Sequence, residues 1–431
     1  GDRVTAPGQI RLKRLFASST GGSWGAPPEE EGTVLPCVRG TDLDFQRLRV
    51  NLGSAPMRSY LATDIHYRAA TAGDIIIEKS GGGENQPVGR VGLMCEQTLV
   101  MPTNFAGRLR PAPDQDARYL TYLLASLYFA GRTRAAIKQT TGIQNLELGA
   151  LLATAVPRLT QNEQRAIADY LDAETARIDA LITKKRRMTE LLVEKVDAQI
   201  FSAVCGTVPS PASSRQGTQI PWLDTIPSHW GSPWLGANHS TQLGKMLSAS
   251  AASGPEQHRY VKNTNVQWDR LDLTDLPTMT FDVNDRARCS LEKGDLLVCE
   301  GGEVGRAAVW PGAPTDVYFQ KAIHRVRPIG EAEPRFTMYA FWAAAKMNVF
   351  SVEGNQATIV HLTGEKLREH RFPWPPLEEQ REIVRQLDSA REKVERTVTR
   401  LDQQINLLAE RRQALITAAV TGELEIQGVA A

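Results

Sequence analysis

The sequence predicts an α/β protein made of two homologous halves, each a globular domain followed by one long helix. Three observations carry that expectation. The chain repeats itself: residues 162–171, NEQRAIADYL, match residues 378–387, EEQREIVRQL, at an offset of 216, which also carries Val88-Gly89-Arg90 onto Val304-Gly305-Arg306. Two stretches, 161–204 and 377–420, hold no Gly or Pro and are rich in Ala, Leu, Glu, Lys, Arg and Gln, the strong helix formers. The segments before them mix strand-like runs, DIIIEK and DLLVCE, with turn signals and one apolar helix-like run each, 119–130 and 336–347. A period this long is no solenoid repeat; it describes a tandem duplication.

In chain order, residues 1–157 form the first globular domain and 158–206 the first long helix. A Ser/Pro/Gly-rich linker, 207–221, leads to a second domain over 222–373, a second long helix over 374–424 and a tail of 425–431. Pro157 and the 373–376 run PWPP stand just before the helices, where proline is tolerated, and Gly206 and Gly422 follow them as C-cap residues. Upstream, Gly73-Asp74-Ile75 matches Gly294-Asp295-Leu296 at an offset of 221, which puts five extra residues in the first copy's Gly-rich loop, 81–89.

The helices carry apolar residues at alternating threes and fours, and such a stripe needs a helical partner. Ile167, Leu171, Ile178, Leu181, Met188 and Leu192 of the first are expected to pair with Ile383, Leu387, Val394, Leu401, Ile405 and Leu408 of the second. About 44 residues at 1.5 Å each would extend roughly 65 Å, beyond one domain of this size. Because the first helix delivers the chain to the second domain, helices that pair with each other run antiparallel, as a coiled coil with approximate two-fold symmetry. The two domains then occupy opposite ends of a rod that fixes their separation.

Composition narrows the class. Of 431 residues, 42% are hydrophobic and 23% charged, with a formal net charge of +1, values of an ordinary globular chain rather than a disordered or collagen-like one. No window approaches a transmembrane run and the opening has no signal-peptide core, so a cytoplasmic location with no membrane is expected. Five widely spaced cysteines without a C-x-x-C pair read as reduced structural thiols, and the histidines form no H-x-x-x-H cluster, so no metal site is expected. Near-zero net charge gives no hint of a nucleic-acid partner.

The motifs do. The G-D-[IL]-[IL] strand with its Gly-rich turn and G-R, then P-[PL]-x-E-Q-R-x-I at the start of a long helix, and the ending RRQALITAAVTGEL at 411–424 together resemble the specificity subunit of type I restriction-modification systems. The resemblance covers essentially the whole chain. It implies that each globular unit is a target recognition domain reading one half of a bipartite, asymmetric DNA site, with the helices as spacer. It also implies host-defence partners: two modification (methyltransferase) subunits bound along the helices, and restriction (endonuclease/translocase) subunits. S-adenosylmethionine would lie in the modification subunits and ATP with Mg in the restriction subunits, none of them in this chain. One departure is that Pro227-x-x-Trp230, typical before a recognition domain, precedes only the second; the first enters at Ile10-Arg11-Leu12 and is read as short of an N-terminal piece.

Two similar scaffolds with dissimilar intervening segments suit a protein that reads two sequences at a fixed distance. Arg suits guanine, Asn or Gln suits adenine, and other cations hold phosphates. Candidates in the first domain are Lys79, Ser80, Asn85, Gln86, Arg90, Arg132, Arg134 and Lys138. In the second they are Lys262, Asn263, Asn265, Arg286, Arg288, Arg306, Lys321 and Arg325. Arg90 and Arg306 recur in both halves, which favours a shared scaffold or phosphate role over base choice. The loop 80–87 lacks the Gly-Lys-Ser/Thr ending of a P-loop, and the basic run 184–187 is read as a solvated or partner-binding helix face. No adenine-methyltransferase N/D-P-P-Y/F motif, S-adenosylmethionine loop, helicase motif or nuclease P-D…E-x-K set is present, so a non-catalytic subunit is expected. The alternatives are a protein-interaction scaffold, or the specificity domains of a fused restriction/methyltransferase enzyme.

Overall fold

A computed structural model describes residues 8–140, 143–207, 214–350 and 362–429. The chain divides into two units, residues 1–186 with 402–431, and residues 187–401.

The first unit is organised around β4 (Ile75–Glu78), the G-D-[IL]-[IL] strand, all four of whose residues are buried. Alternate side chains point to opposite faces of a strand, and here both faces are covered. Ile75 and Ile77 join the core beneath helix α2 (Ala117–Phe129), whereas Ile76 joins a second cluster with Val38 and Val100. That is why the strand is an unbroken apolar run rather than an alternating one. Burial of each such side chain contributes roughly 1.5–3 kcal/mol. Its sheet has the order β1 (Phe16–Gly21), β7 (Ala106–Pro111), β4, β5 (Val91–Leu93), then short strands Arg49–Val50 and Leu43–Asp44. A smaller sheet has the order β6 (Met101–Pro102), β2 (Thr33–Val38), β3 (Met57–Tyr60), and helix α1 (Ala62–Arg68) follows β3.

The second unit repeats this topology. Its strand β11 (Leu296–Cys299) sends Leu296 and Val298 into one core and Leu297 and Cys299 into another. The sheet order is β8 (His239–Leu243), β14 (Ile323–Pro328), β11, β12 (Ala307–Val309). The smaller sheet is β13 (Val317–Phe319), β9 (Gln257–Val261), β10 (Thr278–Thr280), followed by helix α4 (Val283–Arg288). Helix α5 (Pro334–Lys346) takes the place of α2. Even the motif aspartate behaves identically: Asp74 binds Arg110 at 2.7 Å and Asp295 binds Arg327 at 2.7 Å. Duplication is therefore a property of the fold as well as of the sequence. Part of the expected linker is structured, because Arg215–Ile220 pairs with Leu223–Pro227; residues 208–213 lie outside the described residues.

Both long helices form, α3 over Gln161–Val204 and α6 over Leu377–Thr421, and Gly206 and Gly422 beyond them take φ of 60° and 80°, the left-handed region of a C-terminal cap. Each unit holds a part of both. In the first, Ile167, Ala168 and Leu171 share a core with Ile416, Ala419 and Val420. As α3 advances from Asp179 to Lys185, its bonded partner on α6 retreats from Arg412 (3.1 Å) to Gln404 (2.6 Å), so the two segments are antiparallel. In the second unit, Val196, Ile200 and Val204 share a core with Ile383, Val384 and Leu387.

The seam differs from the expected one in detail. Ile167, Leu171, Ile178, Ile383, Leu387 and Leu401 are buried, while Leu192, Val394, Ile405 and Leu408 are half-buried. Leu181 and Met188 are 48% and 49% exposed, and Ile182 is buried where Leu181 was expected. A helix of 3.6 residues per turn drifts from a strict seven-residue repeat, so the contact line runs through Thr175, Ile178 and Ile182.

A polar clamp joins each globular domain to its helix. Gln164 and Gln380, the glutamines of the two E-Q-R motifs, are both 1% exposed. Gln164 accepts from the Asp116 backbone N–H at 2.9 Å, and Gln380 from the Glu333 N–H at 3.0 Å, at the N-caps of α2 and α5. Their amide nitrogens donate to the carbonyls of Leu159 (3.2 Å) and Pro375 (2.8 Å) just before the long helices. Beside them Arg118 binds Asp172 at 2.8 Å and Arg335 binds Asp388 at 2.7 Å. Burial works against the Arg335 cation, but its bonds to Asp388 and Asp269 outweigh that and hold it above the usual range. Tyr122 and Tyr339 donate to the same aspartates, and burial pushes each phenol up to about 12.

Candidate nucleic-acid interface

Strand register puts the two units on one frame. In the first, Gly107 faces Gly21 and Arg108 faces Thr20; in the second, His324 faces Leu243 and Arg325 faces Gln242. Gly21 thus corresponds to Leu243 and Gly22 to Gly244. Both glycines mark a close backbone crossing: a Cβ on Gly22 would lie 1.9 Å from the Pro102 carbonyl oxygen, and one on Gly244 2.3 Å from that of Gln320. No other residue fits there.

Four segments distant in sequence converge at this crossing. In the first unit Arg68, at the end of α1, donates to the Gly21 carbonyl at 2.9 Å, and the Lys79 ammonium stands over Gly21. The Lys79 N–H in turn binds the Phe105 carbonyl at 2.7 Å. In the second unit Arg288, at the end of α4, donates to the Leu243 carbonyl at 2.9 Å; Lys245 pairs with Asp285; and the Lys321 N–H binds the Lys245 carbonyl at 2.7 Å. Beneath each short helix lies a further arginine. Arg108 donates to the Ala69 carbonyl at 2.6 Å and Arg325 to the Ser290 carbonyl at 2.5 Å. Burial pushes both guanidinium groups below their ordinary value. Among the described residues no carboxylate bonds to either. The converging segments also carry exposed apolar side chains: Trp24, Tyr67 and Phe105 in the first unit, Met246 in the second. Cations with exposed apolar groups on a fixed backbone suit a polyanion whose groove edges are partly apolar.

The sequence candidates divide sharply. Lys79, Arg286, Arg288 and Lys321 belong to the converging surface, Arg286 lying 4.0 Å from Glu256. Arg325 sits beneath it, half-buried and bonded to a backbone carbonyl, which fits support rather than reading. Arg90 pairs with Glu78 at 3.0 Å and donates to the Gly40 carbonyl at 3.2 Å; Arg306 donates to the equivalent Asn263 carbonyl at 3.2 Å. Both are therefore scaffold residues. Asn265 is corrected outright: it is 6% exposed and its side chain accepts from the Lys262 N–H at 3.0 Å, closing a turn. Asn263 is likewise spent on the Gly301 carbonyl at 3.0 Å and on Arg306.

The remaining first-unit candidates gather elsewhere, around a hairpin of Ile137–Thr140 and Ile143–Leu146 that pairs with Ser80–Gly81. Ser80 donates to Asn145 at 2.6 Å and Lys138 pairs with Glu147 at 2.5 Å, while Asn85, Gln86, Arg132 and Arg134 are exposed. Lys262 is exposed in the second unit. Sequence reading missed Trp24, Arg58, Tyr67, Arg68 and Arg108, and the clamp glutamines. The 216-residue offset already aligned Gln164 with Gln380, a signal that would have found that pair.

Among the described residues no cluster of three His, Cys, Asp or Glu could hold a metal ion, and no helix is long and apolar enough to cross a membrane.

Comparison with known proteins converges on one family. A family model described as the type I restriction modification DNA specificity domain matches residues 259–407. The type I restriction enzyme EcoBI specificity subunit of Escherichia coli is 32% identical over 132 residues, covering 30% of this chain and 27% of that protein. The StySPI specificity subunit of Salmonella potsdam is 23% identical over 380 residues, 82% of this chain and 75% of that one. Among solved structures, the HsdS subunit of Thermoanaerobacter tengcongensis shares the fold at a TM-score of 0.54 and 17% identity, over 98% of this chain and 99% of that one. Two matched halves and two long helices with their E-Q-R clamps accompany these similarities: over residues 259–407 the chain matches the type I restriction modification DNA specificity domain, and over most of its length it is similar to type I specificity subunits.

Proposed function

We propose that this chain is the DNA-recognition subunit of a type I restriction-modification complex, each unit reading one half of a bipartite site. The observation that carries this is the pair of converging surfaces. The same strand order and the same glycine crossing hold them, yet Trp24 and Phe105 stand in one unit where Met246 and Ala322 stand in the other. Common scaffold with private side chains is what reading two different sequences requires. Cations hold the backbone phosphates and position the protein; base edges are discriminated by the side chains among them.

Catalysis belongs to partners on this reading. Two modification subunits, one per pseudo-equivalent half, would bring S-adenosylmethionine and methylate the bound site, and restriction subunits would bring ATP and Mg. This chain selects the site.

The test is methylome sequencing of cells with and without this subunit, together with binding of the purified complex to duplex DNA at increasing salt. The expected result is one asymmetric two-part motif that disappears with the subunit, and an affinity that falls steeply as counterions are released. A methylome that does not depend on the chain would refute the proposal.

A further inference from the structure

We infer that Trp24 and Met246 are specificity-determining residues, each reading an apolar base edge in the half-site served by its own unit. This rests on the DNA-recognition reading above and names residues within it.

Three observations single the pair out. They occupy one structural position, two residues past the glycine crossing, so any contact made by one has its counterpart in the other. The backbone leading into each of them is hydrogen-bonded to neighbouring segments. Gly22 N–H binds the Ala106 carbonyl at 3.1 Å and Ser23 N–H that of Pro102 at 2.8 Å; Gly244 N–H binds the Ile323 carbonyl at 3.1 Å and Lys245 N–H that of Phe319 at 3.1 Å. On that fixed support both side chains reach outward, Trp24 43% and Met246 62% exposed. A lone exposed apolar residue is ordinary. Its recurrence at the same anchored position, with a different side chain in each copy, is not what a duplicated scaffold would retain by default.

The charges beside them identify the occupant. The Arg58 guanidinium lies 5.0 Å above the Trp24 ring and its Nε donates to the Trp24 carbonyl at 3.3 Å, which orients the indole and puts positive charge over one of its faces. Arg68, paired with Asp64, and Lys79 flank the same crossing, as Lys245 and Arg288, which share Asp285, and Lys321 do in the second unit. An apolar protein partner would gain nothing from that collar of cations. A DNA groove satisfies both features: phosphates meet the cations, and the thymine C5 methyl offers an apolar edge that distinguishes one base pair from the others. Trp and Met differ in size and shape, so the two positions select different neighbours.

The experiment uses the full chain assembled with its modification subunits, in four variants: Trp24→Ala, Met246→Ala, Trp24→Met and Met246→Trp. Each is scored by the methylated motif and by competition binding against duplexes carrying single base-pair changes. Each alanine variant is expected to lose about 10-fold discrimination at one or two adjacent base pairs of one half-site, leaving the other half-site intact. The exchanges are expected to change the preferred base there. Uniform weakening for every sequence, or unaltered discrimination in all four variants while the parent complex stays selective, overturns this inference alone. A parent complex without bipartite selectivity overturns the DNA-recognition reading and this inference with it.

Discussion

Replacing Gln164 or Gln380 with leucine removes one clamp while keeping the side chain close to its original volume. At Gln380 the change strips the acceptor from the Glu333 N–H and the donor from the Pro375 carbonyl, in a site 1% exposed. A buried polar group left without its partner costs roughly 1–3 kcal/mol. The Pro375 bond is buried whereas the Glu333 bond is only partly so, which places the sum near 2 kcal/mol rather than at the top of that range. In units of this size about 1 kcal/mol moves the melting midpoint by roughly 2–4 °C, so each variant should melt about 4–8 °C lower by scanning calorimetry of the full chain. Gln380→Glu sharpens the test, because it keeps the acceptor, loses the donor and places an acid where burial disfavours its charge. Its folded pKa is raised, so it should approach the parent below about pH 4 and lose stability as pH rises. Midpoints of both leucine variants within 1 °C of the parent, or a glutamate variant that is indifferent to pH, would refute the reasoning.

Other expectations follow from the same geometry. Gly22→Ala and Gly244→Ala force a Cβ against a carbonyl oxygen and should each depress the melting point more than the clamp variants do, with DNA binding weakened through the displaced loop. Lys79→Ala and Lys321→Ala should lower the slope of log affinity against log salt by about 1 each without changing the preferred sequence, whereas Arg90→Ala and Arg306→Ala should lower stability and leave that slope alone; the reverse pattern in a salt titration would reassign the roles. His239 is 2% exposed and burial pushes its pKa down to about 4 from 6.5. The unfolded chain takes up the proton first on acidification, so the stability held by the neutral ring is complete above about pH 6.5 and lost as pH falls towards 4, on the order of 3 kcal/mol at most. His239→Phe should flatten the midpoint's dependence on pH across that window. Leu401, 7% exposed in α6, should not tolerate proline: Leu401→Pro is expected to cost roughly 3 kcal/mol or more and to abolish selectivity for half-site spacing, read by binding to duplexes with altered gaps.

Local and repeated signals were legible before any coordinates. The 216-residue offset, the Gly- and Pro-free helices and the buried G-D-[IL]-[IL] strands depend on neighbours close in the chain, or on a pattern written twice. Helix contacts were legible only as a stripe. Leu181 against Ile182 is a choice of about 100° around the helix, and the partner's position decides it. Among the polar residues, Asn265 and Lys321 look alike as candidates in the sequence; one caps a turn and the other lies open to solvent.

By itself the sequence determined the duplication, the class of fold and the family resemblance, because each is carried by residue order along the chain. Only the tertiary structure decided which side chains share a surface. Gly22 meets Pro102, Arg68 meets Gly21 and Gln164 meets Asp116 across separations that leave no local trace. The buried strands and their two cores bring those segments together, and the same packing commits Arg90, Arg306 and Asn265 to bonds inside the protein.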